Sequence, residues 1–357
     1  MNRFVPSVGF VLAGLGVAAS IGEWTGVLTA GGVGNVGGAL AALMASLAFA
    51  ARRHGIEDRR LSVAAGIGSG GLALAAAVAL VYPAAVGREV AVGPSLPVAF
   101  VLGVLGVGVA YADWLGIERG GFLDRGLAGL RALGIGVAGL LGGTVLAGVV
   151  LPLLPIEGRL ARGGASTVLF SVGLAVVALA YLRTRGLGLD YVDWRWPDRS
   201  GWVTVVGGVV GMYAILLVVG AVATALGLPS TEHGIIDEAR SNPTILLVLL
   251  PLSWLAIGPG EELLARNVIQ KYLYESYSRR AAILVGTTVF AAIHLPAYAT
   301  GDPAAVFVTL LKLFTISLVL GVVYERTDNV VVAALTHGTY DAIQYLLAYL
   351  AFARGPF

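Results

Sequence analysis

The residues able to do chemistry crowd into the last third of the chain: Glu261, Glu262, Arg266, His294, Lys312, His337 and Asp341, each set in or beside an apolar run. Carboxylates and imidazoles together can activate water, ligate a metal ion or relay protons. Glu262 and Arg266 are four apart, so on a helix they share a face and can pair. Glu261 points about 100° away from Glu262 on the same helix and is left to face a water or a substrate. A second reading of this pair is helix capping, since acids just after Gly258-Pro259-Gly260 suit a helix N-terminus and its dipole. His294 closes the run Phe290-Ala-Ala-Ile-His294, and His337 stands four before Asp341 on the same helix face. His54 and His233 lie in polar loops and are read as solvated. Lys312 is read as structural, and Glu275, four after Lys271, as its surface partner.

The elements that must hold these side chains are membrane helices. The chain has 357 residues, 57% of them hydrophobic and 12% charged, with a mean hydropathy of +0.87; a soluble domain carries roughly twice that share of charge. Apolar segments run over about 5–22, 31–51, 61–83, 94–112, 130–154, 165–182, 202–227, 244–258, 281–297, 303–324 and 329–352, each near the ~20 residues that a bilayer core requires. The expected fold is an all-α polytopic transmembrane bundle of about eleven helices, with an amphipathic helix over 261–278 continuing from 244–258. Arg3 ahead of the first apolar run, with the small Val17-Ala18-Ala19 late in it, resembles a signal peptide, but the spans that follow favour a first membrane helix. With a cytoplasmic N-terminus, alternate loops place Arg52, Arg53, Arg59, Arg60, Arg119, Arg125, Arg183 and Arg185 inside. Arg88, Arg159, Arg162, Arg240 and Arg354 fall outside, together with Glu232, Asp237 and Glu238; this is a strong positive-inside bias. The location implied is the cell membrane, multi-pass.

The 51 glycines suit close helix packing, with Gly34/Gly38, Gly66/Gly70, Gly139/Gly143 and Gly207/Gly211 at helical spacing. The absence of cysteine excludes disulfides and thiolate metal sites. The polar stretch 183–201, with Tyr191, Trp194, Trp196 and Trp202 in or beside it, reads as a cytoplasmic linker between an N-terminal module, 1–200, and a C-terminal one, 201–357, whose motif core is about 244–345. A bilayer is the expected partner, and no nucleic-acid partner is expected. Depth permits convergence: His337 lies 11 residues past Arg326, His294 lies 14 past Arg280 and Glu261 lies 18 before Arg279, or about 16, 21 and 27 Å of helix.

Together, Glu261-Glu262-x-x-x-Arg266, Phe290-x-x-x-His294 and His337-x-x-x-Asp341 resemble the CAAX-protease and bacteriocin-processing intramembrane proteases, which include the type II CAAX prenyl endopeptidases. The resemblance covers about 244–345 and is silent on the N-terminal spans. Many members have Gly after the motif Arg, where this chain has Asn267. The resemblance implies hydrolysis of a peptide bond in a peptide or protein substrate, prenylated in typical eukaryotic members. Glu261 and His294 would activate a water, His337 and Asp341 would stabilise the oxyanion, and Glu262–Arg266 would hold the helix or help bind substrate. It leaves open a direct glutamate mechanism without a cofactor, the favoured one, and a zinc site on Glu261, His294, His337 and Asp341. Two other readings stand beside it: a proton-coupled transporter or channel using the same cluster, and a non-catalytic membrane scaffold.

Overall fold

The computed structural model describes residues 3–21, 30–85, 93–228, 231, 234–299 and 302–353; Arg88, Glu232, His233 and Arg354 lie outside them. Every regular element in these residues is helical. A chain with no water beside it in the bilayer core must satisfy its backbone within itself, and a helix does so segment by segment. The helices are α1 Phe4–Ile21, α2 Ala30–Arg53, α3 Arg59–Ala85, α4 Ser95–Trp114, α5 Arg119–Val150, α6 Arg159–Thr184, α7 Arg199–Ala225 and α8 Gly234–Ser241. They continue with α9 Thr244–Leu273, α10 Arg279–Ile293, the short α11 Leu295–Tyr298, α12 Pro303–Thr327 and α13 Val330–Ala353. Among the described residues nine helices are long and apolar enough to cross a membrane. Of the eleven segments expected, those at α10, which has 15 residues, and α13 fall outside these nine. The outward-facing side chains are apolar along whole helices, as with Leu47, Leu74, Val203 and Leu217, a surface that only lipid or a partner protein covers.

The chain forms two compact units, 1–126 with 223–229 and 303–307, and 127–222 with 230–302 and 308–357. They do not follow a division at residue 200: most of α5, all of α6 and the stretch 183–201 belong to the second unit. In the first unit Phe49, Val5, Ala45 and Ala110 share a core. At one end Arg52 grips Asp113 through Nε at 2.8 Å and Nη2 at 3.1 Å, and the Ser62 hydroxyl donates to the same carboxylate. In the second unit Leu264, Val268 and Leu273 of α9 pack with Leu174 and Ala178 of α6 and Val289 of α10.

Among the spaced glycines, Gly38, Gly66, Gly70, Gly139, Gly143 and Gly211 face a neighbouring helix at van der Waals range or closer, whereas Gly207 meets nothing within 4 Å and does not pack as expected.

Helix α9 organises the second unit. Gly258-Pro259-Gly260 neither breaks it nor starts a new helix: Ile257 and Gly258 both have right-handed helical dihedrals. The capping reading of Glu261 and Glu262 therefore falls, because no helix N-terminus exists there. Instead α9 widens into π-helical turns at Ser253–Ile257 and Leu263–Gln270. Pro251 and Pro259 lack the amide hydrogens that a regular ladder needs, and wider turns are one way a helix absorbs that loss. The Ser253 hydroxyl donates to the Leu249 carbonyl at 3.0 Å, a side-chain bond added to the ladder beside Pro251.

Candidate active site

Two glycines let α9 and α13 touch backbone to backbone. A Cβ on Gly338 would sit 2.5 Å from the Ser253 carbonyl oxygen, and one on Gly258 would sit 2.5 Å from that of Ala334. Gly338 follows His337, and Gly258 precedes Glu262 by one turn. The close crossing therefore carries His337 to Glu262: Nδ1 lies 2.9 Å from Oε1. The other Glu262 oxygen, Oε2, accepts from Arg266 Nε at 2.9 Å. Arg266 Nη2 donates to the Ser317 hydroxyl of α12 at 2.9 Å. Glu262, Arg266 and Ser317 are fully buried, so this charge pair ties three helices together in the interior. His337 Nε2 faces Asp341 Oδ2 at 3.4 Å, which leaves each ring nitrogen opposite a carboxylate. Between His337 and Asp341, Thr339 accepts from Trp254 Nε1 at 3.0 Å.

Phe290 gives the second motif its physical sense. Its ring lies 5.3 Å from Arg266 Cζ, 4.4 Å from the His294 ring and 6.5 Å from the His337 ring. It covers the guanidinium, whose Nη1 has no hydrogen-bond partner among the described residues, and a cation over an aromatic face is favourable. His294 caps the C-terminus of α10. Its Nδ1 is 2.7 Å from the Phe290 carbonyl oxygen, which can only accept, so Nδ1 carries the hydrogen and donates. That bond fixes the tautomer and turns Nε2 toward Glu261 Oε2, 4.0 Å away. The two side chains keep 23% and 21% exposure and line a cavity of about 150 Å³ with Leu140, Phe170, Phe290 and Ile293.

The sequence-derived residues thus form two neighbouring groups. Glu261 and His294 face a cavity, while Glu262, Arg266, His337 and Asp341 form a chain in the interior and do not line it. The groups are close, for His337 lies within electrostatic reach of Glu261. Tyr298 and Tyr345 lie within reach of both Glu261 and Asp341. Neither tyrosine, nor Ser317, was singled out in the sequence; a polar side chain in an apolar run was the only available signal. Lys312 is half-buried on α12. The expected pair of Lys271 and Glu275 does not form. Lys271 Nζ binds Asp193 at 2.9 Å, and Glu275 takes Arg185 Nη2 at 2.8 Å. Both partners come from 183–201, a stretch that spacing along α9 cannot foresee.

As arranged, the donors do not fit a zinc ion. Among the described residues no three His, Asp or Glu side chains are grouped to hold a metal, and both nitrogens of His337 already face carboxylates.

A helical bundle with nine spans long and apolar enough to cross a membrane among the described residues, and a cluster of carboxylates and imidazoles beside a cavity, defines the general class: a multi-pass membrane protein. The second unit's motif region then matches a family. Residues 243–343, which contain all three motifs, fit the model of the Rce1-like family, type II CAAX prenyl endopeptidases. Over that part of the chain, the match supports in general terms a CAAX-type intramembrane endopeptidase. No curated protein and no solved structure matched the chain.

Proposed function

We propose that the chain hydrolyses peptide bonds with a water held between Glu261 and His294. One observation carries this reading. The 4.0 Å between Glu261 Oε2 and His294 Nε2 is too long for a direct hydrogen bond and suits one bridging water with hydrogen bonds of about 2.8 Å to each atom. Glu261 takes the proton of that water as it attacks the scissile carbonyl, and returns it to the amide nitrogen as the C–N bond breaks and the amine leaves. His294, held by the Phe290 carbonyl, accepts from the water through Nε2 and orients it. His337 does not line the cavity as it stands, so to stabilise the oxyanion its Nε2 must leave Asp341, 3.4 Å away, and turn toward Glu261 as charge develops there. Glu262, fixed by Arg266 and His337, sets the rotation of α9 so that Glu261 faces the cavity.

A second cavity, of about 570 Å³, lies across α9 and is lined by Trp194, Trp196, Trp254, Leu255, Pro259 and Val331 among others, almost all apolar. Its chemistry suits a hydrocarbon chain, and a prenylated peptide is the substrate proposed. The family match weighs against the transporter reading. The N-terminus is placed in the cytoplasm by the arginine bias alone.

The test is cleavage of matched prenylated and unprenylated peptides by purified wild type, Glu261→Ala and His294→Ala. A fall of about 100-fold or more in kcat for both variants is expected, with the prenylated peptide preferred by wild type. Equal turnover by all three removes the assignment. Proton flux through wild-type liposomes, abolished in Glu261→Ala, would establish the transporter in its place.

A further inference from the structure

Asp193 sits in 183–201, far from the motifs in sequence, yet it is bound by all three of the helices that meet at Glu262. Its backbone N–H donates to Asn267 Oδ1 on α9 at 2.9 Å. Its carboxylate takes Lys271 Nζ of α9, 2.9 Å from each oxygen, and the Tyr324 hydroxyl of α12 at 2.5 Å. Its carbonyl accepts from the Val330 N–H at the start of α13, at 3.0 Å. Tyr324 lies seven residues after Ser317, and Val330 seven before His337, in each case about 10 Å along the helix. Asn267 is the residue after Arg266 and is fully buried.

From this geometry we infer that Asp193 is a positioning residue for the hydrolytic site, a latch that holds α12 and α13 two turns from the Glu262–Arg266–Ser317–His337 junction and ties them to α9 at Asn267 and Lys271. Three helices crossing at one buried cluster are free to splay about it, and a second tie at a distance removes that freedom. Asp193 supplies the tie with every polar group it has. Neighbouring contacts hold the segment in place: Asn329 Nδ2 donates to the Arg195 carbonyl at 2.8 Å, and Arg195 Nη2 donates to the Thr327 and Asp328 carbonyls at 3.1 Å each. Asn267, fully buried, then has a local use as the acceptor for the Asp193 backbone. The role assigned to Asp193 rests on the proposed hydrolysis, but the tie itself does not.

The experiment compares wild type, Asp193→Asn, Asp193→Ala and Asn267→Gly, full length in detergent, by peptide turnover and by amide hydrogen exchange of 330–337. Asp193→Ala is expected to lower kcat by about 10- to 100-fold with KM within twofold, since small displacements of catalytic groups cost that much. It should also speed exchange across 330–337 by about tenfold or more while the protein stays monodisperse. Asp193→Asn, which keeps its backbone bonds and one acceptor for Tyr324, should fall between wild type and Asp193→Ala in both readouts and covers the case in which Asp193→Ala does not fold. Asn267→Gly should show a smaller effect of the same kind. Unchanged exchange in both Asp193 variants overturns the latch. So does faster exchange with unaltered kcat, or a loss confined to KM. If wild type cleaves nothing, the hydrolytic reading and the positioning role fail together, while exchange alone still decides whether the tie exists.

Discussion

Glu262 and Glu261 differ by one residue and by everything around them. Glu262 is fully buried, and both its oxygens are engaged at 2.9 Å, one by Arg266 and one by His337. Removing one partner of a buried pair leaves the other charge uncompensated. Glu262→Ala should therefore cost about 3–5 kcal/mol in unfolding free energy. The double variant Glu262→Leu with Arg266→Met should regain most of that stability without regaining activity, as followed by denaturant unfolding in detergent alongside turnover. Glu261, facing the cavity with 21% exposure, should show the reverse. Glu261→Gln is isosteric and should leave stability within about 0.5 kcal/mol while activity is lost. Because the donors do not group around a metal, wild type treated with a strong zinc chelator and then desalted should keep its turnover; loss that zinc restores would show a metal enzyme instead. The sequence made the four-residue pairs, Glu262–Arg266 and His337–Asp341, readable from helical periodicity. The Glu262–His337 bond spans 75 residues, and no local rule reaches across a helix crossing.

The crossing itself is a property of elements. Helix α9 stays continuous through Gly258-Pro259-Gly260 by widening its turns, and those turns hold Arg266, Asn267 and Gln270 in the interior. The sequence placed a helix on either side of that tripeptide and left open whether one continues into the other or a new N-terminus begins there; the π-helical turns that keep α9 continuous depend on what packs against the prolines. Glycine abundance announced close packing, but not which glycines would do it. Gly338 and Gly258, neither in a four-residue glycine pair, bring two helix backbones together at the site, whereas Gly207, which is in one, faces open space. Gly338→Ala would force a Cβ to within 2.5 Å of the Ser253 carbonyl oxygen. It should lower stability by about 1–3 kcal/mol and turnover by about 100-fold, as expected when catalytic groups shift by ~1 Å. Gly207→Ala is the contrast. With nothing to meet and a helical backbone, it should raise stability by up to about 1 kcal/mol and leave turnover unchanged. Thermal unfolding and peptide cleavage on the same preparations separate the two outcomes.

At the scale of the molecule, the membrane character was plain from composition, because a chain with 12% charged residues cannot clothe a soluble surface. Where the chain divides was not plain. The stretch 183–201 reads as a linker by polarity, yet Asp193 and Arg185 bind α9 and the segment after it, so it belongs to the unit that holds the site. Span number bears on chemistry through α10. With 15 residues, α10 is about 22 Å long, short of a ~30 Å hydrocarbon core, and the turn Leu295–Tyr298 continues past His294. If α10 crosses, His294 and Ala299 lie toward the face opposite Glu275; if it is re-entrant, they lie on the same side. The chain has no cysteine, so single cysteines report cleanly. Glu118→Cys, Glu157→Cys, Asp190→Cys, Glu275→Cys and Ala299→Cys all replace exposed residues. With an impermeant maleimide, Glu157→Cys and Ala299→Cys should label in right-side-out membranes, and the other three only in inverted vesicles. Labelling of Ala299→Cys on the same side as Glu275→Cys would make α10 re-entrant and open the Glu261–His294 cavity to that side. Labelling of Glu118→Cys from outside would invert the whole topology and remove the support that the arginine bias gives to a cytoplasmic N-terminus.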